Sequence, residues 1–184
     1  MKIDNFREEY FFLSNFYPSK VKYDGIEYLN SEAAFQAQKC SRKSDRLEFE
    51  NLNPSEAKRL GRKVKIREDW ESVKLDIMKN IIREKFNQNP DITLKLIETG
   101  DNYLEEGNTW GDRIWGTVNG KGENLLGKIL MEIREEIKEE FSKINIFMEK
   151  LDSINIKGKN EVGEFKSLAE ILNELAFKWN ELEK

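Results

Sequence analysis

The sequence predicts an α+β fold that is predominantly helical, with a small N-terminal β-hairpin and a C-terminal helical extension. Apolar and polar residues alternate on both sides of the turn dipeptide Asp24-Gly25, a pattern typical of a β-hairpin. Apolar residues recur every three or four positions from Leu126 to Met148, which indicates a long amphipathic helix. A chain of 184 residues is enough for one domain with an appendage.

The aromatic segment EEYFFLSNFY at residues 8–17 precedes the hairpin and breaks at Ser14-Asn15. Its composition favours a β-strand that leads into a turn near Pro18. The hairpin is expected over residues 21–28. After it, the tetrapeptide LNSE at residues 29–32 offers a capping side chain for the short helix AAFQAQK.

Four residues of that short helix share one face, since they are spaced by three, four and seven positions: Glu32, Phe35, Gln36 and Lys39. A glutamate and a lysine on one stripe with an aromatic residue are unusual for a buried face and ordinary for an exposed one. The residues alone therefore favour a solvent-exposed face.

The middle of the chain contains three further helix patterns. Asn53-Pro54 begins one, with Glu56 at its third position, and Gly61 is expected to close it. A second runs from Asp69 to Asn89-Pro90, and a shorter one follows over residues 92–98. Beyond the long helix, residues 152–163 suggest a turn or short hairpin around Ile154 and Ile156. The last segment predicts a helix with an apolar stripe: Phe165, Leu168, Leu172, Leu175, Trp179 and Leu182.

Composition excludes several classes of protein. No apolar run approaches the roughly 20 residues of a membrane helix, and the N-terminus lacks the pattern of a signal peptide, so a cytoplasmic protein is expected. The chain has one cysteine, Cys40, and no histidine, so no disulfide within the chain and no common zinc site are expected. We predict no required metal and no cofactor. Catalysis is restricted to carboxylates, lysine, tyrosine or backbone groups.

The net charge of −4 conceals a basic stretch between Lys39 and Arg67, which holds ten Lys/Arg against four Asp/Glu. One basic region in an acidic chain is consistent with a phosphate-binding face. A pair of ordinary solvated helices explains the same charges equally well.

A glycine-rich stretch lies between Thr99 and Arg134. It contains six glycines before Asn124, together with Glu105, Glu106 and Asp112 and two tryptophans, Trp110 and Trp115. Carboxylates beside indoles suit a site for a planar group that acquires positive charge, and the glycines indicate a sharply turning backbone. On composition alone, a glycine-rich surface loop with one or two buried tryptophans is the favoured interpretation.

Six sequence blocks in order identify a family resemblance: SNFYPS, YLNSEAAFQAQK, WESVKLDIMKNIIREKFNQNP, TGDNYLEE, NTWGD and GKGENLLGKILMEIREE. Together they resemble the NADAR family of YbiA-like N-glycosidases over about residues 6–140. The resemblance implies a single YbiA-like domain over residues 1–141 that hydrolyses N-glycosidic bonds of ribose. Residues 142–184 fall outside it and are expected to form a helical extension packed on the domain or on a partner protomer.

The resemblance and its motifs also imply the site residues. The expected catalytic residues are Glu32, Lys39, Glu106 and Asp112. The expected substrate-binding residues are Asn15, Phe16, Phe35, Gln36, Trp70, Trp110, Gly111, Gly122 and Asn124. The chain departs from the family at Ala33, where many riboflavin-linked members have histidine, and at Arg113-Ile114-Trp115, which suggests a differently lined mouth.

Cleavage of a ribosyl C–N bond passes through an oxocarbenium-like state and needs a carboxylate near C1′, a proton for the departing nitrogen and a positioned water. The three carboxylates can supply the first and the third, Trp70 or Trp110 can stack a base, and the basic stretch can bind phosphates. Lys39 has a second possible role as an amine nucleophile at C1′.

Three functions remain open on the sequence. Removal of ADP-ribose from ADP-ribosylated guanine in DNA or RNA is favoured by the absent histidine and the basic stretch. The second is hydrolysis of phosphoribosylamino pyrimidines from riboflavin synthesis. The third is a catalytically silent ADP-ribose-binding module.

Overall fold

The computed structural model describes residues 1–153, 156–167 and 170–175, in which helices account for most of the regular structure. The α+β, predominantly helical class predicted from the sequence is confirmed. The chain forms two compact units, Met1–Glu135 and Glu136–Lys184. The domain boundary predicted at residue 141 stays a prediction.

In the described part of the chain, four short strands form two small sheets: β1 (Lys2–Ile3), β2 (Val21–Tyr23), β3 (Ile26–Tyr28) and β4 (Tyr103–Leu104). Strands β2 and β3 form the predicted antiparallel hairpin, with Val21 opposite Tyr28. Asp24 and Gly25 both have positive φ angles, of 51° and 73°, which fit a tight hairpin turn. Strand β1 pairs in parallel with β4, a contact that no local sequence pattern predicted.

Up to residue 153 the chain forms six α-helices: α1 (Ser31–Ala37), α2 (Lys43–Arg46), α3 (Pro54–Gly61), α4 (Trp70–Asn87), α5 (Pro90–Glu98) and α6 (Leu125–Ser153). The predicted caps are confirmed. The Asn30 side chain accepts from the Ala33 N–H at 2.8 Å, and Asn53 and Glu56 form a reciprocal capping box on α3. These local bonds fix where α1 and α3 begin.

The strand predicted within residues 8–17 is wrong. Residues Glu8–Leu13 form a 3₁₀ helix, in which the Tyr10 N–H donates to the Arg7 carbonyl and the Ser14 N–H donates to the Phe11 carbonyl. These groups are satisfied within the segment, so the aromatic run does not pair with a strand. The 3₁₀ helix buries Phe12 and Leu13, whereas Phe11 stays exposed.

The core of the first unit draws buried apolar side chains from the 3₁₀ helix, the hairpin, α1, α4, α5, β4 and the start of α6. Its fully buried apolar side chains include Leu13, Tyr28, Phe49, Met78, Ile81, Ile82, Phe86, Ile92, Leu96, Leu104 and Leu126. Each such side chain contributes about 1.5–3 kcal/mol through burial, before the cost of ordering it. No helix of the described chain is both long and apolar enough to cross a lipid bilayer.

The predicted C-terminal stripe is only partly reproduced. Leu172 is exposed, and Ile171 instead packs in a small cluster with Leu151 and Ile156. Phe165 is also exposed and forms an antiparallel bridge with Lys159 ahead of a helix at 170–175. The predicted positions Ile154, Leu168, Trp179 and Leu182 lie outside the described residues.

Candidate active site

A pocket of about 900 Å³ opens in the first unit between the 3₁₀ helix, α1, α3, the start of α4 and the glycine-rich loop. This volume is in the range of small-molecule sites. Ten of the predicted site residues line it: Asn15, Phe16, Glu32, Phe35, Gln36, Lys39, Trp70, Glu106, Trp110 and Asp112. Segments far apart in the sequence therefore meet around one cavity.

The charged face of α1 points into this pocket. The expectation that it is solvent-exposed is wrong, because Glu32 and Gln36 are each only 6% exposed. The backbone N–H of Glu32 donates to the Asn15 carbonyl at 3.1 Å, and the side-chain amide of Gln36 donates to the Glu32 carboxylate at 2.9 Å. Glu32 is thus held in a defined orientation.

Helix α3 approaches α1 closely at Gly61. A Cβ atom at this position would lie 2.0 Å from Oε1 of Gln36, so a larger residue would displace the Gln36 side chain. The Gly61 carbonyl accepts a 3.2 Å hydrogen bond from Lys39 Nζ. Gly61 is the last residue of α3, as predicted. The close approach of Gln36 gives a second reason for a glycine at this position.

The acidic groups in the pocket affect one another. Burial, followed by the charges of Asp112 and Glu32, raises the pKa of Glu106 to about 8. Burial also raises the pKa of Glu32, but Lys58, the hydrogen bond from Gln36, and Lys39 oppose that shift. Both pKa values are therefore raised, and Glu32 has more partners than Glu106 that oppose the rise.

Two asparagines shape the glycine-rich loop. The Asn124 side chain accepts from the Glu106 N–H at 3.0 Å and donates to the Leu104 carbonyl at 2.8 Å. Asn108 accepts from the Asp112 N–H at 3.0 Å and donates to the Asp112 carbonyl at 2.6 Å. These bonds place Glu106 and Asp112 at the pocket wall.

Three predicted binding residues lie outside the pocket lining. Asn124 acts through its bonds to Glu106 and Leu104. Gly122 lies against the carbonyl of Gly116, where a Cβ atom would be 2.3 Å from the oxygen. Gly111 has a φ angle of 92° and allows the turn between Trp110 and Asp112.

An aromatic cluster forms another part of the wall. Phe35 contacts Trp70 and Trp115 with ring centroids 5.1 Å and 5.3 Å apart. Trp110 is 58% exposed at the mouth, and the Arg7 guanidinium lies 5.9 Å from its ring centre. Ile114 and Trp115 line the pocket, in the segment where the chain departs from the family pattern.

Six cationic side chains line the pocket: Arg7, Lys39, Lys58, Arg59, Arg62 and Lys74. Lys58, Arg59 and Arg62 come from the end of α3 or just after it, within the basic stretch noted in the sequence. Arg7 and Lys74 were not identified from the sequence, because each lies in an ordinary charged segment. The pocket lining thus combines carboxyl groups with a cluster of cations.

Lys39 is partly buried beside these cations. Burial lowers the pKa of Lys39 against the opposing charge of Glu32, while Arg62 and Lys58 add to the lowering. Its Nζ lies 5.9 Å from the centre of the Trp70 ring. Within the described residues, no group of three or more Cys, Asp or Glu side chains is arranged to hold a metal ion.

Comparison with known proteins places this architecture in a family. The sequence profile of the NADAR domain matches residues 3–138. N-glycosidase YbiA of Escherichia coli is 38% identical over 134 residues, which cover 71% of this chain and 83% of that protein. An N-glycosidase of Nostoc punctiforme is 37% identical over 141 residues, 73% of this chain and 90% of the relative.

Two further matches differ in kind. A riboflavin biosynthesis protein of Vibrio vulnificus is 38% identical over 138 residues, which cover 72% of this chain but only 37% of that longer protein. The solution NMR structure of Escherichia coli YbiA superimposes with a TM-score of 0.67 at 36% identity, covering 76% of this chain and 85% of YbiA. The chain therefore belongs to the NADAR family.

Proposed function

We propose that this protein is a hydrolase of N-glycosyl bonds that cleaves the bond between C1′ of a ribose and a nitrogen of a nucleobase. The names of its curated relatives in Escherichia coli and Nostoc support the reaction class, since both are called N-glycosidases. The observation that carries the proposal is the buried pair of Glu32 and Glu106, two carboxyl groups with raised pKa values that lie in one pocket, of which Glu32 also has a hydrogen bond from Gln36 and two lysines that oppose the rise.

In this mechanism Glu106 is the general acid. Its raised pKa keeps it protonated near neutral pH, so it can donate a proton to the departing nitrogen. Glu32, oriented by Gln36, stabilises the positive charge that develops at C1′ or activates the attacking water. Asp112 supports the same charge from the loop side of the pocket.

Lys39 provides a second nucleophile. Its lowered pKa increases the fraction of free amine, which can attack C1′ while the C1′–N bond to the base breaks and the departing nitrogen takes the proton of Glu106. The ribosylamine formed on Lys39 opens to an imine, and water hydrolyses the imine to release the sugar and restore the lysine. Reduction with borohydride during turnover tests this role. A covalent sugar adduct on Lys39 is the expected product of that route, and its absence assigns the attack to water.

The favoured substrate is ADP-ribosylated guanine in DNA or RNA. The cation cluster at the end of α3 suits a ligand with more than one phosphate, and the exposed Trp110 offers a stacking surface at the mouth. The runner-up is a phosphoribosylamino pyrimidine, which the name of the Vibrio relative favours.

One experiment separates these substrates. The protein is incubated with an oligonucleotide carrying ADP-ribosylated guanine and, separately, with a phosphoribosylamino pyrimidine, and the released sugars are identified by mass spectrometry. Free ADP-ribose supports the favoured substrate, and ribose 5-phosphate supports the runner-up. Binding without either product would instead indicate a silent ADP-ribose-binding module. Glu32→Gln is the matched control for contaminating activity.

A further inference from the structure

Lys85 is a fully buried lysine that the proposed mechanism does not use. It lies on α4 with 0% of its surface exposed, and its Nζ donates to the carbonyls of Phe12 at 2.6 Å and Ser14 at 2.9 Å. Nζ also lies 5.7 Å and 5.4 Å from the ring centres of Tyr17 and Phe86. Burial lowers the pKa of Lys85 to about 7. A lysine is costly in such a place unless its hydrogen bonds are needed.

The two carbonyls that Lys85 holds lie at the end of the 3₁₀ helix, directly before the pocket wall. The next residue, Asn15, is buried and lines the pocket together with Phe16. The Asn15 carbonyl in turn accepts the 3.1 Å hydrogen bond from the Glu32 N–H. Two hydrogen bonds and the backbone of Asn15 between them therefore join Lys85 to Glu32.

We propose that Lys85 is a positioning residue: its ammonium group fixes the Ser14–Phe16 segment on α4 and thereby sets the position of Glu32 in the pocket. Lys85 does not line the pocket, so it acts through this segment and not on the substrate. The expected effect on turnover rests on the function proposed above. The expected effect on the Glu32 amide does not.

The test replaces Lys85 with methionine, which keeps the buried chain and removes the donors. Hydrogen exchange of single amides is followed by NMR without substrate. The Glu32 amide should exchange at least about tenfold faster, because its acceptor segment is released. The Ala33 amide is the internal reference. It is bonded to the Asn30 side chain, so it should change by less than about threefold.

Turnover supplies the second measurement. In Lys85→Met, kcat should fall by about tenfold with a smaller change in KM, because Glu32 acts on the charge of the transition state. Leu96→Ala is the control for general destabilisation, since Leu96 is buried on α5, away from the pocket lining. Leu96→Ala should lower Tm yet leave kcat within about threefold of the value for the unaltered protein.

The outcomes are distinguishable. An unchanged Glu32 amide in folded Lys85→Met overturns the inference, and so does an equal loss of kcat in Leu96→Ala. Accelerated Glu32 exchange in a protein that hydrolyses neither substrate supports the positioning role and rejects the proposed function. If Lys85→Met does not fold, couplings across the hydrogen bonds from Nζ to the carbonyl carbons of Phe12 and Ser14 are measured in the unaltered protein. Their absence overturns the inference.

Discussion

Two regions supply the three proposed catalytic carboxyl groups of the pocket in different ways. Helix α1 presents Glu32 from a regular backbone with a side-chain cap, and Gly61 of α3 leaves space for the Gln36 partner. The glycine-rich loop presents Glu106 and Asp112 from an irregular backbone that depends on Asn108 and Asn124. The helix places its carboxylate through periodicity, whereas the loop relies on individual hydrogen bonds. Substitutions in α1 and in the glycine-rich loop should therefore have different effects on activity and stability.

The largest effect is expected on the helix side. Glu32→Gln keeps the shape of the side chain and an acceptor for Gln36, so the fold should be retained. Loss of the charge should reduce kcat by about 10²–10⁴-fold, the usual contribution of one such group. Stopped assays measure kcat, and circular dichroism checks that the variant is folded. Glu27→Gln, at an exposed ion pair with Lys20, is the matched control. Near-normal turnover would remove Glu32 from the mechanism.

The second effect concerns the loop carboxyl and its titration. Because the pKa of Glu106 is about 8, its acid form predominates below that pH and is lost above it. The rate should therefore fall as the pH rises through about 8. In Glu106→Gln the rate should be lower by about 10²-fold, and this alkaline decrease should disappear. A decrease that persists unchanged in the variant would assign it to another group.

The same titration affects folding in a known direction. The folded-state pKa of Glu106 lies above its ordinary value of 4.5, so between these values the folded protein holds a proton that the unfolded chain has released. Glu106 therefore contributes less to stability as the pH rises from 4.5 towards 8. The free energy of unfolding is measured in urea at several pH values for the protein and for Glu106→Gln, and its slope against pH is compared between the two.

A third change tests whether the loop depends on individual bonds. Asn124→Ala leaves the Glu106 N–H and the Leu104 carbonyl without this partner, at a cost of about 1–3 kcal/mol for each buried group left unsatisfied. Asn119→Ala is the control, because Asn119 has the same φ angle of 53° in an exposed position. Equal losses of unfolding free energy in both variants would attribute the effect to backbone strain alone.

The smallest effect on activity is expected from truncation. The described residues that line the pocket all precede residue 116, so a stop codon after Phe141 removes none of them. The truncated protein should keep kcat within about threefold and lose stability or change its oligomeric state. A folded but inactive truncation would show that residues 142–184 contribute to the site.

The same contrast explains what the sequence could predict. The hairpin, the caps of α1 and α3 and the extent of α4 depend on neighbouring residues, and all were predicted correctly. The direction in which the charged face of α1 points was predicted wrongly, because charged residues usually face solvent. The segments that cover Glu32 come from distant parts of the chain. The loop was recognised from its glycines, but its hydrogen bonds from Asn108 and Asn124 depend on tertiary structure. Arg7, which lines the pocket, directly precedes the 3₁₀ helix that forms in place of the expected strand.

The parallel pairing of β1 with β4 also has a consequence for how this protein is made. Lys2 lies beside Tyr103, and the Glu105 N–H donates to the Ile3 carbonyl at 2.8 Å, directly before Glu106. This contact closes a loop on the order of 100 residues, and such distant contacts form late in folding. At roughly 5–20 residues per second on the ribosome, the first strand waits about 5–20 seconds for its partner. During synthesis, Glu106 of the loop can therefore take its place beside Glu32 only after helices α1 to α5 have left the ribosome.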